Sequence, residues 1–279
     1  MLETTQLRTL TPLDVPRLVE LLDVDPDVNL FVRHRVDVTG LDPALMGGRV
    51  WGWFEGDELV SACHVGANVV PVEATARALD EFAARLASSA VRPASLVGPR
   101  DDVMTLWRAL EPRWGPARSP RPEQPFLRLA EAPAVAPDPR LRRVAIDELD
   151  TVYPACVAMF REEVGVDPEV QGGGQYRARV AHLIAQGHAF AIIEDGQVLF
   201  KAEVGAHTVH GCQLQGVFVP PQLRGRGIAE PALAGVVELA REQVAPVVSL
   251  YVNDHNVAAR RAYERVGFEQ TATFASILL

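Results

Sequence analysis

The run Gly216-Val217-Phe218-Val219-Pro220-Pro221-Gln222-Leu223-Arg224-Gly225-Arg226-Gly227-Ile228-Ala229 holds the residue types that bind a diphosphate. It reads as a strand, a turn with two glycines, and the start of a helix. Gly225 and Gly227 permit a sharp turn in which successive N–H groups approach one ligand. The first amides of the helix have no partner within it, and its dipole adds positive potential at that end. Diphosphate is the natural occupant. Arg224 and Arg226 add guanidinium groups that phosphate oxygens accept in pairs.

Two other phosphate loops do not fit. A P-loop requires GxxxxGK followed by Ser or Thr, and no such run occurs. A dinucleotide fingerprint beginning at Gly225 would need glycine at position 230, which is Glu230. It would also belong to the first strand of its unit, whereas three strands precede this one.

The elements that must position this turn alternate clearly in the second half. Leu141–Ile146 reads as a strand and Asp147–Glu163 as a helix with apolar residues at three-to-four spacing. Gly172-Gly173-Gly174 reads as a flexible loop into a helix over Tyr176–Gln186. Strands follow at Ala189–Glu194 and Val198–Val204, joined at Asp195-Gly196. Another strand, Cys212–Val219, precedes the turn, and a helix over Arg226–Gln243 follows it. Val247–Val252 is a strand, Asn256–Val266 a helix, and Phe268–Leu279 a last strand. Earlier in the chain, Trp51–Phe54 and Leu59–Val70 flank a turn. Ala74–Ser88 reads as a helix, Ala94–Val97 as a strand and Asp101–Leu110 as a helix. This repeats part of the later order, so an internal duplication is expected. The proline-rich stretch from Arg113 to Arg140 forbids a continuous helix or central strand. Domains are therefore expected at residues 1–130 and 139–279, with a linker at 131–138.

Gln222-Leu223-Arg224-Gly225-Arg226-Gly227 resembles the central signature of the GNAT superfamily of acyl-CoA-dependent N-acetyltransferases: Gln or Arg, two residues, Gly, one residue, Gly or Ala. A second element of that family fits downstream, where Asn256, Ala259, Tyr263, Gly267 and Phe268 stand at its spacing. The resemblance is full in the second half and faint in the first. It implies an α/β fold of two GNAT-like domains, each a mostly antiparallel twisted sheet flanked by helices, with a degenerate first copy. It also implies acetyl-CoA as co-substrate and direct attack by a primary amine, on a small molecule or a protein. Val217 and Val219 would hold the pantetheine arm beside Phe218, with the Val217 amide donating to the thioester oxygen. Gln222, Leu223, Arg224, Gly225, Arg226, Gly227, Ile228 and Ala229 would cradle the diphosphate, and Asn256 would touch the cofactor. Tyr263 would protonate the departing thiolate, a task that suits a phenol neutral at pH 7. Against this stands a packing role, since Ala259, Ala262, Tyr263 and Val266 share an apolar face. Pro231 departs from the family pattern but falls in the first turn of its helix, where proline is tolerated. A non-catalytic acyl-CoA sensor on the same fold is the alternative.

The general base is less marked. Gln213 and Gln215 stand where some relatives carry Glu, which leaves Glu203 as the nearest carboxylate by topology; water is the other route. Cys212 has no spaced His or carboxylate to activate it and reads as a buried thiol. His207 and His210 flank a turn. Glu162, Glu163, Asp167 and Glu169 cluster where the resemblance puts the acceptor, which suits a cationic amine, although a solvated helix end is the slightly better reading of the same charges. In the first half, Pro71-Val72-Glu73-Ala74-Thr75-Ala76-Arg77 holds no glycine and carries a carboxylate where phosphate would sit, so that copy is expected to lack a cofactor site.

Composition narrows the class further. The 279 residues carry 36 acidic against 27 basic side chains, a net charge of -9, which argues against nucleic acid. Three scattered cysteines fit neither a disulfide framework nor a zinc site, and no metal is expected. Met1–Gln6 lacks a cationic leader pattern and no apolar run reaches 18 residues, so a cytoplasmic protein without a membrane span is expected. Of the 27 basic residues only Lys201 is Lys, from which no function is read.

Overall fold

The computed structural model describes residues 5–90 and 92–279, without the side chains of residues 171–173. Met1–Thr4, part of the stretch read for a leader, lie outside the described residues. The first part of the chain runs β1 (Thr5–Thr9), α1 (Val15–Leu22), α2 (Leu30–Thr39), α3 (Pro43–Met46), β2 (Arg49–Glu55), β3 (Glu58–Val65), β4 (Asn68–Val72), α4 (Ala76–Ser88), β5 (Ser95–Pro99), α5 (Arg100–Trp114) and β6 (Ser119–Leu129). The remainder runs β7 (Arg142–Arg143), α6 (Leu149–Val164), α7 (Pro168–Ala185), β8 (Ala189–Glu194), β9 (Gln197–His207), β10 (Gly211–Phe218), α8 (Ala229–Gln243), β11 (Val247–Tyr251), α9 (Val257–Val266) and β12 (Glu269–Leu278).

Two compact units result. The first holds Met1–Phe126, Tyr251–Asn256 and Gln270–Leu279; the second holds Leu127–Leu250 and Val257–Glu269. Two segments that the sequence reading assigns to the second domain thus group with the first unit. In the first unit, β1 to β4 pair antiparallel in order, β4 pairs parallel with β5, and β12 pairs antiparallel with β5 from Phe274↔Pro99 to Leu278↔Ser95. Alternation along β2 sends Trp51 and Trp53 to one face, with Phe82, Leu106 and Trp107 of α4 and α5. Val50 and Phe54 go to the other face, with Leu18, Leu22 and Val32.

The second unit repeats the pattern. Strands β7 to β10 pair antiparallel, and β10 pairs parallel with β11. The order strand, helix, strand, helix at β4-α4-β5-α5 recurs at β10-α8-β11-α9. Helices α6 and α7 cover one face through Val152, Cys156, Val157, Val180 and Ile184. Asp195 and Gly196, at φ 49° and 73°, form the tight turn between β8 and β9.

Five expectations change. Leu59–Val70, read as one strand, is two, β3 ending at Val65 and β4 starting at Asn68, paired antiparallel across a turn. The glycine triplet is not a loop: α7 starts at Pro168, capped by Asp167, whose side chain accepts from the Glu169 amide, and it continues through Gly172–Gly174. Interior glycine costs about 1 kcal/mol each and does not forbid a helix. The Leu141–Ile146 strand shrinks to Arg142–Arg143, because a 3-10 turn begins at Ile146. β6 runs straight through Pro120, Pro122 and Pro125. Pro120 and Pro122 are two apart, so their missing amides fall on the same edge of the strand. Residues 5–46, left without elements in the sequence reading, hold β1 and three helices. Among the described residues, no helix is long and apolar enough to cross a membrane and no group of side chains could hold a metal ion.

Candidate functional site

The site forms where β10 leaves its ladders. Toward β9, Gln215 pairs with Glu203 and Phe218 with Lys201, so Gly216 and Val217 stand opposite Ala202 alone. This is a bulge, and Gly216 takes φ 60° to make it. Toward β11, the parallel pairs run only from Gly211↔Val247 to Gln213↔Ser249. From Leu214 onward, β10 has no registered partner on that side among the described residues. The backbone near Val217 is therefore open on the edge where an extended ligand could add as a strand.

After β10 the chain makes a 3-10 turn over Pro221–Leu223. That turn uses two of the expected amides internally: Leu223 donates to the Pro220 carbonyl at 2.8 Å and Arg224 to that of Pro221 at 3.3 Å. Gly225 and Gly227 follow at φ 74° and 75°, with open space where a Cβ would stand. Among the described residues, the amides of Gly225, Arg226, Gly227, Ile228, Ala229 and Glu230 make no main-chain hydrogen bond, and the first into α8 is Ala232 to Ile228. Gln222 and residues 224–227 are exposed. Six successive amides without a main-chain partner among the described residues, at the start of a 15-residue helix, are the kind of donor set that can hold an anion.

Arg224 faces elsewhere. Its guanidinium donates to the Val219 carbonyl at 2.9 Å and to Glu162 at 2.7 Å, lying over the Phe218 ring. Arg226 is exposed. The acidic cluster is likewise engaged: Arg161 pairs with Asp167 and Glu169, at 2.6 Å and 3.3 Å.

Tyr263 sits on α9, buried, with its ring edge-to-face with Phe268. Its hydroxyl has no hydrogen-bond partner among the described residues. Burial, reinforced by the Glu163 carboxylate, raises the phenol well above its ordinary range. Glu162 on the glycine turn and Glu163 on Tyr263 thus bring the end of α6 to both. Asn256 immediately precedes α9 in the chain but groups with the first unit, its amide donating to the Asn253 carbonyl at 2.9 Å.

Glu203 is buried and bound. Lys201 Nζ donates to its Oε1 and to Cys156 Sγ at 3.4 Å, while Gln215 Nε2 donates to its Oε2 at 3.3 Å. Burial is the largest single influence on the Lys201 ammonium and lowers it, but the charges and hydrogen bonds of Glu203 and Cys156 together outweigh it and the net shift is upward. Sequence reasoning missed Lys201 and Cys156. A signal existed: Lys201 and Glu203 are two apart on one strand and share a face. Cys212 is fully buried, its thiol pushed up to about 12 by burial.

The corresponding turn of the first unit is filled from within. Thr75 accepts from the Ala78 amide at 3.3 Å, capping α4, and Asn29 donates to Glu73 at 2.9 Å.

Residues 167–268 match the model of the acetyltransferase (GNAT) family, and residues 48–152 match a domain of unknown function, DUF4081. An uncharacterized N-acetyltransferase of Bacillus subtilis, YycN, is 44% identical over 48 residues, which are 17% of this chain and 31% of that protein. The match thus spans about a third of that relative. A tandem GNAT protein from the clavulanic acid biosynthesis pathway superposes with a TM-score of 0.59 at 14% identity, covering 99% of this chain and 98% of its own. A GCN5-related N-acetyltransferase from Sphaerobacter thermophilus gives 0.60 at 19% identity, over 98% and 94%. At these identities the likeness to the solved structures is one of fold.

Proposed function

We propose that the protein, whose residues 167–268 match the acetyltransferase (GNAT) family model, transfers an acetyl group from acetyl-CoA to a primary amine by direct attack. One observation carries the reading: the run of free amides from Gly225 to Glu230 at the head of α8, just past a strand that opens beyond Gln213. The amides and Arg226 fit the diphosphate, and the free edge of β10 at Val217 and Val219 fits the amide-bearing pantetheine arm. The thioester supplies an activated acyl group. The chain's own residues supply placement and charge stabilisation.

The Val217 amide, left out of the β9 pairs by the bulge, is the donor to the carbonyl oxygen; losing one such donor costs roughly 10²–10³ in rate in other enzymes. Tyr263 is the acid for the leaving thiolate, since its hydroxyl is neutral and has no hydrogen-bond partner among the described residues. Glu203 makes a poor base because Lys201 already holds its carboxylate, so the amine loses its proton through water. The acceptor is a cationic amine drawn to the end of α6, where Glu162 and Glu163 stand. The first unit, with its turn capped by Thr75, holds no CoA on this reading.

The test combines calorimetry of CoA binding with thiol release from acetyl-CoA across a panel of amines. Binding with turnover supports the reading. Binding without turnover for any amine points to a CoA sensor, and absence of binding removes both.

A further inference from the structure

A buried ion pair lies beneath the bulge. Lys201 is 2% exposed and Glu203 6%. Around them runs one connected set of polar groups: Tyr176 of α7 donates to the Cys156 carbonyl at 3.1 Å, Cys156 meets Lys201, Lys201 meets Glu203, and Glu203 meets Gln215. It ends on the residue just before the bulge and, through the pair Phe218↔Lys201, on the residue just after it.

The fit around Gly216 is close. A Cβ placed there would stand 3.1 Å from Lys201 Nζ, 3.1 Å from Met159 Cε and 3.4 Å from Glu203 Oε2. The space that a side chain would fill is taken by the ammonium. In a chain that uses Arg for 26 of its 27 basic residues, this position holds the one compact cation. A guanidinium is broader and would press on the Gly216 backbone. A buried ion pair is no stability requirement, since well-packed apolar residues of the same volume serve as well or better. The pair is also neutral overall and adds no net charge to the site. What it supplies is a fixed distance between β9 and the two residues that leave the ladder.

We propose that Lys201 is a positioning residue: through Glu203 and Gln215 it fixes the bulge at Gly216-Val217, and thereby aims the Val217 amide at the reacting carbonyl. The inference rests on the acyl-transfer reading for the role of Val217, while the geometry of the bulge is independent of it.

Lys201→Met alone leaves a buried carboxylate uncompensated and strongly destabilises the chain. The informative variant is therefore Lys201→Met with Glu203→Gln, which removes both charges, keeps the Glu203 length and shortens the Lys201 side chain by one atom. Its melting temperature returns close to that of the parent and its CoA affinity stays within about threefold. The kcat for acetyl transfer falls roughly tenfold to a hundredfold, the scale of a small misplacement, with little change in the KM for acetyl-CoA. In its crystal structure Gly216 leaves its positive φ and the step from Gln215↔Glu203 to Phe218↔Lys201 is lost. Lys201→Arg, which keeps the charge but not the size, also lowers kcat. An intact bulge in the paired variant overturns the proposal, and so does parent-like turnover. A parent that binds no CoA overturns the acyl-transfer reading and the role of Val217 with it; the register of the paired variant then still decides whether Lys201 sets the bulge.

Discussion

Arg224 and Glu162 meet at 2.7 Å, tying the glycine turn to the end of α6. The pair is about half exposed on both sides, 45% and 48%. Such pairs are worth about 0–1 kcal/mol. If Arg224 turns toward the diphosphate on binding, Glu162 competes with the ligand for it. Glu162→Gln is then expected to tighten CoA binding by about twofold to fivefold at low salt, and less at high salt. Calorimetry at two ionic strengths measures this, and weaker binding in the variant would count against the competition.

Gly225 and Gly227 give a sharper test of the cradle. Both hold left-handed φ values, and nothing stands within 4 Å of a Cβ at either position. The cost of Gly225→Ala or Gly227→Ala is thus conformational rather than steric, about 1–2 kcal/mol. A modest drop in melting temperature is expected. CoA affinity should fall at least tenfold, because an alanine that relaxes its φ turns the neighbouring amides away. Parent-like affinity in both variants would remove the diphosphate from this turn.

The turn was legible in the sequence because its work is local: two glycines, one residue apart, and a helix start. Helix α9 and Tyr263 were legible by spacing for the same reason. The α7 start was misread although its signal, Asp167 before Pro168, was present; the glycine triplet outweighed it. Grouping of Gln270–Leu279 with the first unit was not legible, because it follows from pairing β12 with β5, a partner some 175 residues away by the register Phe274↔Pro99. That of Tyr251–Asn256 follows from other long-range bonds, the Val252 and Asp254 amides donating to the Pro125 and Glu123 carbonyls. The Lys201 set needed the structure too. Alternation puts Lys201 and Glu203 on one face, but only the packing of α6 on β9 and β10 brings Cys156 and Gly216 to them.

Tyr263→Phe separates the acid from the packing residue. The hydroxyl has no partner among the described residues, so its loss should leave the melting temperature within a degree or two. An acid role predicts a fall in kcat of about 10²-fold. Burial raises the phenol, so its ionisation should not limit kcat below about pH 10. A pH–rate profile checks both points: a descending limb near pH 9 that vanishes in Tyr263→Phe would contradict the direction of the shift.

His64 predicts a pH dependence in the first unit that is unrelated to turnover. The ring is buried, its Nδ1 lies 3.1 Å from the Asn68 carbonyl, and its Nε2 is buried without a hydrogen-bond partner among the described residues. Burial lowers its pKa to about 4, with Arg35 adding to the effect and the Asn68 hydrogen bond opposing it. The unfolded chain holds His64 at about 6.5. Between those values the unfolded state binds more protons than the folded one, so stability rises with pH across the window and is lost as pH falls from about 6.5 to 4. A shift of that size corresponds to an order of 3 kcal/mol at most. Denaturant titrations of the parent at pH 4.5 and 7 should show the loss, and His64→Gln, which can still donate to the Asn68 carbonyl, should show less of it. Equal slopes in parent and variant would mean that the acid sensitivity arises from other groups.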